Sequence, residues 1–210
     1  MKVVKIMVVD SKTVVRQLKL LKKKSARMRL AGEKWDRDWK TLIAISMSAQ
    51  SRDEVTIKIA TLLFEKYPTL EALSKAKYKD VLEIFKSLNY NKSKAKNVIE
   101  CAKQLAGDFR GKVPIEIDKL LTLRGVGRKT ANVFLAEKGF AAIGVDTHLA
   151  YISQQLGWTK HKNPDKIEQD LLALFPRTYW GKINPTLVRF GKTYVGRKKK
   201  SKLLKEIKSI

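Results

Sequence analysis

Apolar residues recur at helical spacing along almost the whole chain, and no convincing pair of alternating strands interrupts them, which constrains the fold to an all-α architecture. The breaks carry glycine or proline, at positions 67–68, 111–114, 125–127, 139, 157, 163–164 and 176. Asn163 followed by Pro164 reads as a helix start, a cap and then a first-turn proline. The most informative break is Gly125-Val126-Gly127. Ile117, Leu120 and Leu121 precede it at helical spacing, and Ala131, Phe134 and Leu135 follow it, so the glycines form a tight turn between two helices. Glycine accepts positive φ and has no side chain, so Gly125 and Gly127 let backbone N–H groups face an anion. The second helix adds its first-turn donors and its positive dipole end. Any helical hairpin can contain such a turn, but here Arg124, Arg128 and Lys129 crowd it, on a chain of formal net charge +25.

Lys129 falls in the first turn of that second helix, where a cation opposes the dipole. Two readings fit the position. A phosphate-contacting lysine is one, and a nucleophilic amine is the other, since the dipole and the neighbouring Arg124 and Arg128 favour the neutral form. At an ordinary lysine pKa of about 10.4, only about one amine in 2,500 is neutral at pH 7, so a nucleophile needs such help. Asp146 favours the second reading. A helix from Arg128 to about Lys138 carries the chain about 16 Å away, and the extended link over residues 139–145 spans about 23 Å, enough to return to the lysine end. Asp146 also precedes the apolar helical run Leu149, Ile152 and Leu156, and so reads equally as an N-cap. The roles are compatible, because a capping carboxylate is held rigidly.

Residues 123–132 (LRGVGRKTAN) and 145–148 (VDTH) closely resemble the endonuclease III family of helix-hairpin-helix DNA glycosylases. The likeness extends over about residues 39–199. It includes 42–50 (LIAISMSAQ), similar to the family's first core helix with its Ser-Ala-Gln signature. It also includes 89–95 (NYNKSKA), similar to the loop and helix start that face the lesion, and 111–114 (GKVP), the approach to the hairpin.

The resemblance implies two helical domains with the active site in the cleft between them. A six-helix domain over 37–142 contains the hairpin, and 1–36 plus 143–210 form the second. It implies a bifunctional glycosylase/lyase that removes oxidised pyrimidines from duplex DNA. Lys129 would attack C1′, and Asp146 would assist base departure and later proton transfers. An amine suits this chemistry, since a Schiff base acidifies the C2′ proton and permits β-elimination. A monofunctional or mismatch (uracil/thymine) glycosylase and a non-catalytic helix-hairpin-helix DNA binder are the alternatives. DNA contacts are expected from Gly125, Val126, Gly127, Arg128, Thr130 and His148, with a monovalent cation at the hairpin as a further implication.

Flipping a nucleotide out leaves a space to fill. By resemblance Gln50 is one filler; a solvated polar residue at a helix end is its plainer reading. Tyr90 stands where the family usually has an aliphatic wedge. It can stack on the exposed base pair, an interaction worth about 1–3 kcal/mol, or pack locally in its loop.

The family usually carries a [4Fe-4S] cluster on four cysteines near the C-terminus, whereas this sequence has one cysteine, Cys101. No cluster is therefore expected, and Val195, after Phe190, stands where the first ligand would be. Cys101 reads as a small buried hydrophobe. A lone cysteine also excludes an intramolecular disulfide and fits a reducing cytoplasm. Two distant histidines offer no zinc spacing, so no metal is expected.

No apolar run reaches the roughly 18 residues of a membrane span, and residues 3–9 are too short for a signal peptide. A soluble, non-secreted monomer acting at the genome in the cytoplasm, on duplex DNA with damaged bases or abasic sites, is expected. Residues 1–30 carry ten Lys/Arg against Asp10, net +9, and residues 196–210 carry seven against Glu206, net +6. Solvated tails are one reading of these arms; phosphate contacts by Arg197, Lys198 and Lys199 are the other, and would make binding steeply salt-dependent. Val14, Leu18 and Leu21 suggest an N-terminal amphipathic helix packing on C-terminal helices, where Leu203, Leu204 and Ile207 can supply apolar packing in place of a cluster.

Overall fold

A computed structural model describes residues 10–210. The expectation about residues 3–9, and the first part of the basic N-terminal arm, lie outside the described residues. All regular structure among the described residues is helical. In chain order the α-helices are α1 (Ser11–Lys24), α2 (Asp38–Met47), α3 (Asp53–Lys66), α4 (Leu70–Ser74), α5 (Tyr78–Ile84), α6 (Asn91–Gly107), α7 (Ile117–Thr122), α8 (Arg128–Glu137), α9 (Thr147–Leu156), α10 (Pro164–Leu174), α11 (Trp180–Thr193) and α12 (Arg197–Lys208), with a 3-10 turn at Arg177–Tyr179 before α11. No helix among the described residues is long and apolar enough to cross a membrane.

The described residues form two compact units, one of residues 29–140 and one of residues 10–28 with 141–210. The first crossover lies at 28/29 instead of 36/37, because residues 29–36 are tied into the middle unit. The Trp35 ring stands edge-on to Phe64 at 4.9 Å. Gly32 lies so near Ile45 that a Cβ there would come within 2.6 Å of its side chain.

In the 29–140 unit, α2 is the central helix. Trp39, Thr41, Leu42, Ile43, Ala44, Ile45 and Met47 are all buried, as expected of a helix apolar on every side, and it packs against α3, α6 and α8. The other unit is organised around α9, which packs on α11 and α12, with α1 also on both of those helices. Val14, Leu18 and Leu21 of α1 join Leu149, Ile152 and Leu156 of α9 and Leu204 and Ile207 of α12 in one apolar core. The basic terminal segments are thus amphipathic helices whose apolar stripes are buried, while their lysines stay in water. Two helix starts follow directly from sequence. Asp10 caps α1 by accepting from Lys12 and Thr13 N–H, and Asn163 caps α10 ahead of Pro164.

Candidate active site and nucleic-acid interface

The hairpin consists of α7, the turn at residues 123–127 and α8. Leu123 N–H donates to Leu120 O (3.2 Å) and Val126 N–H to Leu123 O (3.1 Å), closing the turn on itself. Gly125 has φ +80°, and a Cβ there would come within 2.8 Å of Asn97 Cβ, so glycine is required twice over. Gly127 differs from the expectation. Its φ of −95° is open to any residue, and a Cβ would meet nothing within 4 Å.

The turn is held from outside by polar side chains that sequence reading did not single out. Gln104 on α6 donates through Nε2 to Thr122 O (3.1 Å) and accepts through Oε1 from Arg124 N–H (2.7 Å). Ser46 on α2 donates to Gly125 O (3.0 Å). Each links a helix of the core to the turn, and no local pattern marks them, since a polar residue on a helix is ordinarily solvated.

α8 starts at Gly127 with no side-chain cap and no acid in its first turn. Lys129, its second residue, is half-buried, while Gly125, Gly127 and Arg128 are exposed. Ala131, Phe134 and Leu135 anchor the helix in the core. Val126 and Thr130 face into the protein. Both side chains are buried, and the Val126 N–H is spent inside the turn.

Asp146 belongs to the other unit. It caps α9, accepting from Leu149 N–H through Oδ1 (2.8 Å), which leaves Oδ2 outside the cap. The preceding backbone is fixed by burial of Ile143 and Val145 and by Asn184 Nδ2 donating to Gly144 O (2.6 Å). His148, half-buried on α9, lies against α11, where a Cβ at Gly191 would come within 2.8 Å of the imidazole Cγ.

Gln50 does not end a helix, as expected, but sits three residues past α2 in a left-handed turn, φ 53°. Tyr90 is also left-handed, φ 57°, and immediately precedes α6. The residue is 65% exposed, which does not match local packing in a loop. Asn89 Nδ2 donates to Gln50 O (2.7 Å), so the two turns are joined. Lys94 lies beside them, and burial pushes its ammonium pKa down to about 8.

Arg197, Lys198 and Lys199 are not a solvated tail. They form the exposed first turn of α12, which starts at Gly196 without a side-chain cap. Lys199 Nζ stands 5.7 Å from the Tyr194 ring centre. The single cysteine is buried on α6, where burial pushes its thiol up to about 12, and Val195 is 83% exposed. This donor set does not fit a four-cysteine cluster.

Residues 43–177 match the family model of the HhH-GPD superfamily base excision DNA repair proteins. The chain is 40% identical to the endonuclease III of Thermotoga maritima over 156 residues, 73% of each protein. It is 33% identical to that of Bacillus subtilis over 153 residues, 72% of this chain and 70% of the relative. Among solved structures it is similar to endonuclease III in a non-covalent DNA complex, with a TM-score of 0.80 at 27% identity, covering 89% of this chain and 88% of the other. A trapped covalent endonuclease III–DNA intermediate matches with a TM-score of 0.79 over the same shares.

Proposed function

Since this chain belongs to the endonuclease III family within the HhH-GPD superfamily of base excision DNA repair proteins, we propose that Lys129 and Asp146 carry a combined glycosylase and lyase reaction on oxidised pyrimidines. The chain is a DNA glycosylase of base excision repair; the proposal concerns its residues, lesion and route. Lys129 Nζ, as the free amine, attacks C1′ and displaces the base, which leaves with a proton. The sugar ring opens to a Schiff base between Lys129 and C1′. Loss of the C2′ proton then expels the 3′ phosphate and nicks the strand. Asp146 serves the proton transfers, with Oδ1 committed to the α9 cap and Oδ2 available to the substrate.

The observation that carries this reading is the position of Lys129. It stands in the first turn of a helix that begins at an uncapped glycine, against the dipole, beside a turn braced by Gln104 and Ser46. A residue that only stabilised α8 would not be a cation there. Gly125, Gly127 and Arg128 meet the phosphate flanking the lesion, and the exposed first turn of α12 meets a more distant one. His148 contributes beside Asp146 on α9. Gln50 and Tyr90 fill the space left by the flipped nucleotide. The Leu123 and Gly125 carbonyls each accept one hydrogen bond and keep a second lone pair, a donor set suited to a monovalent cation at the hairpin, which would add positive charge near the phosphate. The enzyme works as a monomer, without an iron-sulfur cluster, wherever the genome is held.

The test uses duplexes carrying thymine glycol, dihydrouracil, uracil, mismatched thymine or an abasic site, with base release and nicking scored separately. Release of the oxidised pyrimidines with nicking, and a borohydride-trapped adduct on Lys129, is the expected result. Release without nicking would instead make the enzyme monofunctional.

A further inference from the structure

A buried lysine outside the reaction scheme ties together the two turns that the scheme assigns to base extrusion. Gln50 and Tyr90 both have left-handed backbones, φ 53° and 57°. Residues other than glycine hold that conformation only where their surroundings impose it. Three hydrogen bonds impose it on the Gln50 turn. Lys94 Nζ donates to Ala49 O (2.7 Å) and to Ser51 Oγ (2.8 Å), and Asn89 Nδ2 donates to Gln50 O (2.7 Å). The bonds bracket Gln50, one on each neighbour and one on its own carbonyl. Both donors come from the segment that carries Tyr90.

Lys94 is only 8% exposed, and among the described residues no carboxylate pairs with it. A buried ammonium without a counter-charge is costly. Its neighbours on the same face of α6, Ala95, Val98 and Ile99, are buried and apolar, and an apolar side chain of similar length would fill the site at less cost. What an apolar side chain cannot do is donate to two acceptors on either side of Gln50.

We infer that Lys94 is a positioning residue for nucleotide flipping, locking the Gln50 turn to the Tyr90 turn so that the two side chains enter the duplex as one preformed unit. The inference rests on the roles proposed above for Gln50 and Tyr90. Lys94 itself touches neither substrate nor the reacting atoms. Its contribution is to remove the need to order two strained turns at the moment the base leaves the stack.

The experiment compares wild type, Lys94→Met, Gln50→Ala and the double variant on a thymine glycol duplex with 2-aminopurine beside the lesion, in single-turnover base release and stopped-flow fluorescence. Lys94→Met should slow both release and the fluorescence rise by about 10- to 100-fold, the scale of a sub-ångström to ångström misplacement. It should slow strand cleavage at a single-stranded abasic site far less, since no duplex gap has to be filled there. In the Gln50→Ala background the same change should cost less than about twofold, because its target is already gone. An equal cost in both backgrounds would show that Lys94 merely supports the fold, and overturns the inference. Asn89→Ala, at an exposed position, keeps the test decisive if Lys94→Met does not fold. It must slow release and lose that effect in the Gln50→Ala background; wild-type rates in Asn89→Ala overturn the inference. Wild-type enzyme that releases no base from any lesion fails the underlying reaction instead, a result distinct from an active wild type matched by Lys94→Met.

Discussion

α9 begins at a side chain that satisfies its own backbone, with Asp146 accepting from Leu149 N–H. α8 begins at a glycine that offers no side chain, followed by Arg128 and Lys129 where acids normally stand. One helix start is completed by its own cap; the turn before the other is braced by tertiary contacts from Ser46 and Gln104. The α12 start resembles α8, with Gly196 and a run of cations, but its side-chain contacts are to Tyr194 and Tyr151, through cation–ring approaches and the Tyr151–Ser201 hydrogen bond. On the reading proposed above, the difference separates a helix end built for stability from one whose donors and charge are directed at a ligand, and a braced anion site from a looser electrostatic one.

The sharpest way to break the comparison is at the two residues the proposed chemistry needs. Lys129→Gln should abolish borohydride trapping and lower strand nicking by about three orders of magnitude or more, read on a thymine glycol duplex. Undiminished trapping would return Lys129 to the role of a phosphate contact. Asp146→Asn should lower base release by about 100-fold while leaving thermal stability nearly unchanged, because the amide oxygen can still cap α9. Asp146→Ala should lose the cap as well, about 1 kcal/mol in chemical unfolding. Equal activity in the Asn variant would reduce Asp146 to a cap.

The glycines sharpen the contrast within the hairpin. Gly125→Ala must place a Cβ against Asn97 at positive φ and should cost about 1–3 kcal/mol of stability. Gly127→Ala, in open space with an ordinary backbone, should unfold like wild type yet bind duplex more weakly, as titration would reveal. At α12, Lys198→Ala should lower the slope of log K against log salt by about 0.9, with stability unaltered. An unchanged slope would remove α12 from the interface.

A last expected effect is on stability against pH. Lys94 has a pKa of about 8 in the fold against an ordinary value of 10.5, so between those values the unfolded chain binds more protons. Stability should therefore rise as pH climbs from about 8 to 10.5, and the cost of burying the charged form should be fully present below pH 8. Denaturation across that range should show the rise in wild type and lose it in Lys94→Met.

Much of the fold was legible because it depends on neighbours along the chain. The 3.6-residue apolar period of α1 and α9, the Asn163–Pro164 start of α10, the Asp146 cap and the glycine turn before α8 all express contacts within a few residues. Less of the candidate site could be read. Gln104, Ser46, Asn184 and Lys94 were passed over because each acts on an acceptor brought near only by packing; for Asn184 that is Gly144, 40 residues away. The burial of Val126 and Thr130 was illegible for the same reason, since a turn sequence does not say which of its side chains faces inward.

The sequence by itself determined the helical class, the breaks between helices, the glycine turn and first-turn lysine of the hairpin, and a count of one cysteine against the four a cluster would need. Only the tertiary structure decided that Gly125 and not Gly127 needs a left-handed backbone, that Gln50 and Tyr90 share one bonded pair of turns, and that the basic segments at residues 11–24 and 197–208 are packed helices. The physical reason is range. Helix propensity, capping and turn conformation act over a few residues, whereas burial and side-chain hydrogen bonds to distant backbone are properties of the packed core.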